Sequence, residues 1–291
     1  MKLSSTTCRL SKFFGDRKAV DILCEAGFDA VDYSFATGNF EPGKAGKEYF
    51  TDLRAYAEQK GMVFNQAHAP CPSSTVDEAE TAELYKMIVE SIKNASYLGV
   101  PNIIVHPYYH LDYQVDDNAE RLFEMNMKFY KSLIPYSEEY GVRIALENMW
   151  QWKGNSTKFE NFVEASACGR PDEMIRYYDS LGNDCFTVCL DIGHALLVRE
   201  NPDVFIRKLG KERLTCLHVH DAYADLDWHT LPYFGEVNWD RTMKALADIG
   251  YSGDFTFEVA GFHDNLPTEL WQDAFRFMAA TGRYLMNKIN L

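Results

Sequence analysis

The chain has no CxxC pair, no run of about 18 apolar residues, no Gly-x-Gly-x-x-Gly after its first predicted strand, and no low-complexity tract or linker. Each absence excludes something. Without a long apolar run, no membrane span is expected. The opening Met1-Lys2-Leu3-Ser4-Ser5 lacks an apolar segment of signal-peptide length, so no secretion signal is expected either. Without the glycine fingerprint, a dinucleotide-binding fold loses support. Positive charge is also scarce. Lys and Arg number 29 against 43 Asp and Glu, for a net charge of -14. Nucleic-acid binding is driven by Lys/Arg neutralisation of phosphates, so a polyanionic partner is disfavoured, and the acidity reads as solubility. The seven cysteines are Cys8, Cys24, Cys71, Cys168, Cys185, Cys189 and Cys216. An odd number of this kind is no disulfide framework. Cys189 and Cys216 fall inside predicted buried strands, where a thiol packs as a small hydrophobe. A reducing, cytoplasmic location is expected.

What is present is a strict alternation. Strands are predicted at Leu3–Cys8, Ala30–Phe35, Val63–His68, Asn102–His106, Arg143–Glu147, Phe186–Asp191, Leu214–His218 and Phe255–Glu258. Amphipathic helical segments lie between them: Arg17–Ala26, Gly46–Lys60, Thr81–Leu98, Ala119–Tyr140, Arg170–Leu181, Pro202–Leu209 and Trp239–Ile249, with a last one at Pro267–Lys288. Gly27, Gly61, Gly99, Gly141, Gly182, Gly210 and Gly250 each follow a helical run and precede a strand, as helix-terminating glycines do. Eight strand–helix units imply a parallel sheet with crossover helices. Their number favours a closed (β/α)8 barrel, which takes about 250 residues. Residues 1–291 are therefore read as one α/β domain. The longest irregular stretches, Trp150–Ala167 and Ala222–Asn238, follow strand ends and are predicted to be loops over the active site.

Four of the strands end on an ionisable residue: Glu147, Asp191, His218 and Glu258. In a barrel the C-terminal rim carries the chemistry. Three carboxylates and an imidazole brought together in a partly dry site repel one another unless a cation holds them. The chain reads as a metalloenzyme. Further histidines, His68, His106, His110, His194, His220 and His229, also fall at or just after strand ends. His110 and His263 are read as hydrogen-bonded structural residues and the others as functional.

The segments Asn65-Gln66-Ala67-His68-Ala69-Pro70, Val105-His106-Pro107, Ala145-Leu146-Glu147-Asn148, Cys189-Leu190-Asp191-Ile192-Gly193-His194-Ala195, Leu217-His218-Val219-His220-Asp221, Asp227 to Trp239, and Phe257-Glu258 resemble the xylose isomerase-like TIM-barrel superfamily. It holds sugar and sugar-phosphate isomerases and epimerases and the endonuclease IV-type repair enzymes. The resemblance implies that Glu147, Asp191, His218 and Glu258 hold one divalent cation. An oxygen-rich set with one imidazole suits Mn²⁺, Mg²⁺, Co²⁺ or Zn²⁺. It implies that Glu147 and Glu258 also move protons: one takes a proton from the carbon beside a carbonyl, and the other returns it on the opposite face through a metal-stabilised enediolate. His194 would polarise a substrate oxygen. Trp150, Trp152, Trp228, Tyr233 and Phe234 would line the pocket mouth, and Lys153 and His220 would contact substrate. The expected partner is a small carbohydrate or keto-polyol, with no membrane or nucleic acid, and with homo-oligomerisation left open.

The sequence departs from the ketose 3-epimerases in two places. Lys153 stands where they carry an additional glutamate, and Ala224 where they carry an arginine, so their substrate grip is not reproduced and a free ketohexose loses support as substrate. Two rival activities share the scaffold. One is an inosose-type dehydratase, in which the same deprotonation ends in loss of a β-hydroxyl. The other is an endonuclease IV-like, zinc-dependent cleavage of abasic DNA. His68, His106, Asp227 and His229, with Glu147, Asp191, His194, His218 and Glu258, match that second ligand set in type and order. The stretch Asp221–Trp228 lacks the Ser-Lys and Gly-Ser residues of the repair enzymes.

Overall fold

The computed structural model describes residues 1–35, 45–115, 117–152, 162–163, 165–223 and 226–289; of Trp152, Phe162 and Val163 only the backbone is described. The parallel strands are β1 (Leu3–Thr6), β2 (Ala30–Ser34), β3 (Val63–His68), β4 (Asn102–Val105), β5 (Arg143–Glu147), β6 (Phe186–Asp191), β7 (Leu214–His218) and β8 (Phe255–Phe257). They pair in chain order, and β8 returns to β1 with Leu3 opposite Phe255. The ring closes between β7 and β8 through Val219. Its N–H donates to the Thr256 carbonyl at 2.8 Å, and its own carbonyl accepts from Glu258 N–H at 3.2 Å. This is a (β/α)8 TIM barrel.

Strand alternation sorts the side chains into an outer apolar shell and a layered interior. Ile144, Leu146, Val188, Leu190 and Leu217 face outward into the main core beneath the helices. Residues of the opposite parity face the barrel axis. Ser4, Asn65 and Thr256 make a hydrogen-bonded layer at the N-terminal end. Above it Ile104, Ala145, Cys189 and Cys216 form a separate small apolar cluster. The next inward positions on β5, β6 and β7 are Glu147, Asp191 and His218. A period of two thus carries β5, β6 and β7 from the apolar plug to the ionisable rim.

The glycines predicted to end helices all sit at positive φ, between 55° and 96°. Differences from the sequence expectation lie at strand ends. β1 stops at Thr6 because Cys8 already begins a helix, Cys8–Phe14, and a second short helix, Ile192–Leu197, follows β6 directly. The two long loops are not wholly irregular. Asp221–Tyr223 pairs antiparallel with Leu226–Thr230, and Gln151–Trp152 with Phe162–Val163. No helix of the described residues is long and apolar enough to cross a membrane.

Candidate active site

Glu147, Asp191, His218 and Glu258 converge at the C-terminal rim with donor atoms all within 4.8 Å of one another. His218 is the hub. Its Nδ1 is 2.7 Å from Glu147 Oε1 and 3.2 Å from Glu258 Oε2. Asp191 is fixed by backbone geometry. Asn148 Oδ1 accepts its N–H at 2.7 Å, and Asn148 Nδ2 donates to its carbonyl at 2.9 Å. One Asp191 oxygen accepts the His194 N–H at 2.7 Å, so this carboxylate also caps the short helix that carries His194.

The remaining histidines arrange around this centre. His106 Nε2 stands 2.8 Å from Glu147 Oε2 and 3.0 Å from His68 Nε2. On the other side His194, His220, Asp227 and His229 form a second donor group, and His68, Glu147 and His218 a third. His194 Nδ1 meets the Asn148 carbonyl at 2.9 Å, which turns Nε2 toward Asp227. His229 meets the Glu258 carbonyl through Nδ1 at 2.9 Å and Asp227 through Nε2 at 3.2 Å. Its backbone lies at φ 46°, a costly conformation for a histidine, held by N–H donors from Ala260 and Gly261 to its carbonyl. A cavity of about 360 Å³ opens above, lined by His68, His106, His194, Asp227, His229 and Glu258 together with Trp150. A larger groove of about 510 Å³ between outer helices, against Tyr85, Tyr97, Tyr136 and Tyr140, holds no group of metal-ligating side chains among the described residues.

Charge in this dry site is balanced between carboxylates and imidazoles. Burial works against the Glu147 charge, but His218 and His106 hold it well below the usual carboxylate range. Asp191 and Asp227 are likewise depressed by adjacent imidazoles against the cost of burial. Burial opposes protonation of His194, yet Asp191 and Asp227 push it up to about 10, and His218 and His229 rise well above their ordinary value for the same reason. His106 goes down through burial.

The donor chemistry fits a divalent cation. Glu147 Oε2 and Asp227 Oδ1 are buried carboxylate oxygens without an aligned hydrogen-bond partner. Buried polar atoms are almost always satisfied, so such oxygens mark places where a positive charge belongs. Uptake of a cation must displace the imidazole protons. The neighbouring carboxylates favour the protonated form of His194, His218 and His229, so binding is expected to release protons, and affinity to climb as pH rises. Calorimetric titration of the metal-stripped chain with Mn²⁺, in two buffers of different ionisation enthalpy, checks this. Equal heats in both would show that no proton leaves.

Several sequence expectations change. His220 does not line the cavity. It is fully buried, its Nε2 is 2.8 Å from Asp191 Oδ1, and its ring stacks on His229 at 3.9 Å. It stands against Asp191, behind the cavity lining. Gly193 leaves room for that ring, since a Cβ there would meet His220 Cε1 at 2.0 Å. Trp228, Tyr223, Tyr233 and Phe234 are exposed and absent from the described cavity lining. Tyr233 packs on Tyr284 and Phe234 on Phe262. Trp150 does line the cavity and donates from Nε1 to Asp227 Oδ2 at 3.0 Å. Lys153, Ala224 and the Trp152 side chain lie outside the described residues. His110 is hydrogen-bonded, to Ser74 Oγ at 2.6 Å. His263 is not: both its nitrogens lack a partner, and it packs edge-on to Trp271. Asp32, fully buried on β2 with an oxygen 3.6 Å from His218 Nε2, was not expected. Its signal is an acidic residue in mid-strand, within Ala30-Val31-Asp32-Tyr33-Ser34.

The sequence pattern of the xylose isomerase-like TIM-barrel family matches residues 20–281, and the chain belongs to that family. Among curated relatives, D-psicose 3-epimerase of Enterocloster bolteae is 22% identical over 271 residues, covering 90% of this chain and 84% of that protein. A probable endonuclease 4 of Cenarchaeum symbiosum is 28% identical over 207 residues, covering 66% and 67%. Among solved structures, a D-tagatose 3-epimerase-like protein superposes with a TM-score of 0.76 at 19% identity over 99% of this chain and 98% of that one. The IOLI protein with a bound zinc atom gives 0.75 at 18% over 99% and 98%.

Proposed function

We propose that this chain is a divalent-metal-dependent isomerase or epimerase of a sugar, sugar derivative or keto-polyol, with residues 1–291 acting as one barrel domain in a reducing, cytoplasmic setting. The observation that carries the reading is the convergence of Glu147 and Glu258 on His218 Nδ1, with Asp191 in the same donor group, at the floor of the cavity. The epimerase relatives and the zinc-bearing neighbour support it. A cation held by these four residues would supply electrostatic stabilisation to an oxygen that gains negative charge.

The residues themselves do the rest. Glu258 lines the cavity and is 22% exposed in its side chain, so it can meet a substrate carbon acid directly. Glu147 lies deeper and fully buried. Its role as the second proton carrier is exercised from beneath the substrate, where His68 and His106 flank its Oε2. His194, lining the cavity with Nε2 free of the backbone, can donate to a substrate oxygen. The aromatic face of Trp150 suits sugar C–H surfaces. A panel of ketoses, keto-inositols and keto-glycosides, assayed with Mn²⁺, Mg²⁺, Co²⁺ and Zn²⁺, tests the reading. Elimination of water in place of epimerisation would move it to the dehydratase branch of the same chemistry.

Lys153 is proposed to contact an anionic or polar substituent of the substrate. Lys153→Ala is expected to raise KM several-fold and to leave kcat nearly intact. The effect should shrink with added salt. An unchanged KM on the natural substrate would remove Lys153 from the site.

One observation favours a second reading. The three overlapping donor groups have the residue types to hold more than one cation, as zinc-dependent phosphodiester cleavage would require. Against it, none of the described residues lining the cavity is Lys or Arg. Three tightly held zinc ions together with incision of abasic DNA would establish that activity and overturn the epimerase.

A further inference from the structure

Asp32 sits in the middle of β2 with its side chain inside the barrel and no exposure to solvent. A carboxylate in such a place is costly unless something answers it. Neither of its oxygens has a hydrogen-bond partner. The ionisable atom standing closest in an ion-pair contact is His218 Nε2, 3.6 Å from Oδ2, and that nitrogen also lacks a partner. The opposite edge of the same ring, Nδ1, points at Glu147 and Glu258. His68 stacks parallel to the ring, 5.6 Å between centroids with planes 12° apart, and restrains it from turning over. Strand β2 sends no residue into the four-residue donor group, and the ion-pair contact of Asp32 with that group is the one to His218.

We propose that Asp32 is a positioning residue that holds the proton of His218 on Nε2 and so leaves Nδ1 open toward the cation site between Glu147 and Glu258. This rests on the proposed metal site. An imidazole binds a cation through one nitrogen, and the partner of the other nitrogen decides which one that is. With the proton on Nε2, facing Asp32, the Nδ1 lone pair aims at the donor group. With the proton on Nδ1, the ring would donate to Glu147 or Glu258 and occupy the site itself. Its bare Nε2 would then face a carboxylate oxygen, lone pair against lone pair. The Asp32 charge disfavours that arrangement. A purely structural acid would behave differently: replacing an unpartnered buried carboxylate by its amide relieves desolvation and leaves metal binding alone.

The test uses the full chain stripped of metal. Mn²⁺ binding is titrated for the native protein, Asp32→Asn and Asp32→Glu, alongside thermal unfolding of each metal-free protein. Asp32→Asn is expected to weaken Mn²⁺ by about 10–100-fold, as loss of an outer partner of a ligating histidine does, with no loss of metal-free stability. Asp32→Glu is expected to recover part of the affinity. The Zn²⁺-loaded native protein, labelled with ¹⁵N-histidine, is expected to show the His218 proton on Nε2, a readout that needs no variant to fold. Mn²⁺ affinity of Asp32→Asn within twofold of native, or a His218 proton on Nδ1 in the zinc form, overturns the assignment and leaves the proposed metal site standing. A native chain that binds neither Mn²⁺ nor Zn²⁺ overturns both.

Discussion

Replacing Glu258 by Gln is expected to lower kcat by about 10²–10⁴-fold, the range lost with a positioned acid–base group, while the protein stays folded and keeps most of its metal. Glu258 is the member of the glutamate pair that lines the cavity. An amide of the same shape still offers one oxygen to a cation but cannot take a proton. Glu147→Gln is expected to abolish turnover in a different way. Glu147 is fully buried, bonded by His218 and approached by His106 and His68. Its charge is what those imidazoles and the proposed cation would share, so the variant should lose metal and turnover together. Metal content by elemental analysis, circular dichroism and single-substrate kinetics on the panel hit separate the two cases. Near-native kcat in Glu258→Gln would end its assignment as the proton-transfer base. Full metal content in Glu147→Gln would show that its charge is not needed to hold the ion.

The largest effect on stability is expected at Asp221. This buried carboxylate is the anchor of the loop that carries Asp227 and His229. Its Oδ1 accepts from the Ala222 and Val237 N–H groups, each at 3.0 Å. Its Oδ2 accepts from Tyr233 N–H at 2.9 Å and from Trp239 Nε1 at 2.8 Å. Gly235 passes so close that a Cβ would lie 2.4 Å from Oδ1. Asp221→Ala strands four donors around one empty carboxylate site. A loss of about 3–5 kcal/mol is expected, since buried groups left unpaired cost about 1–3 kcal/mol each and relax only in part. Asp221→Asn keeps one acceptor oxygen and should fall between the two. Urea unfolding of the three proteins measures this. A loss below about 1 kcal/mol for Asp221→Ala would mean that the donors find other acceptors and that the loop is held elsewhere. Because Asp227 and His229 ride on the same loop, the alanine variant should also weaken the donor group they form with His194.

Much of this molecule is legible in the chain because barrels write themselves in short periods. The apolar runs ending in Glu147, Asp191 and His218 each alternate outward and inward. An ionisable residue at the last inward position can point only to the rim. The same parity explains the polar floor, where Ser4 and Thr256 face inward two or more residues earlier on their strands. Helix ends at Gly27, Gly99 and Gly141 were readable because a left-handed residue is nearly free only for glycine. In the fold the carboxylates of Glu147, Asp191 and Glu258 stand around His218.

Tertiary structure alone decided what lies across the barrel from what. His220, expected as a substrate contact, has its ring turned back onto Asp191. Trp228 and Tyr233 were close in sequence to Asp227 and His229, yet the hairpin that holds those two faces its aromatic neighbours outward. Asp32 is more than 180 residues from His218, and its strand offers no histidine or carboxylate motif of its own. Local sequence fixes which face of a strand a side chain takes, because that depends on a period of two. Which side chain stands opposite it depends on strand register and ring closure, and those are set by the packing of the whole barrel.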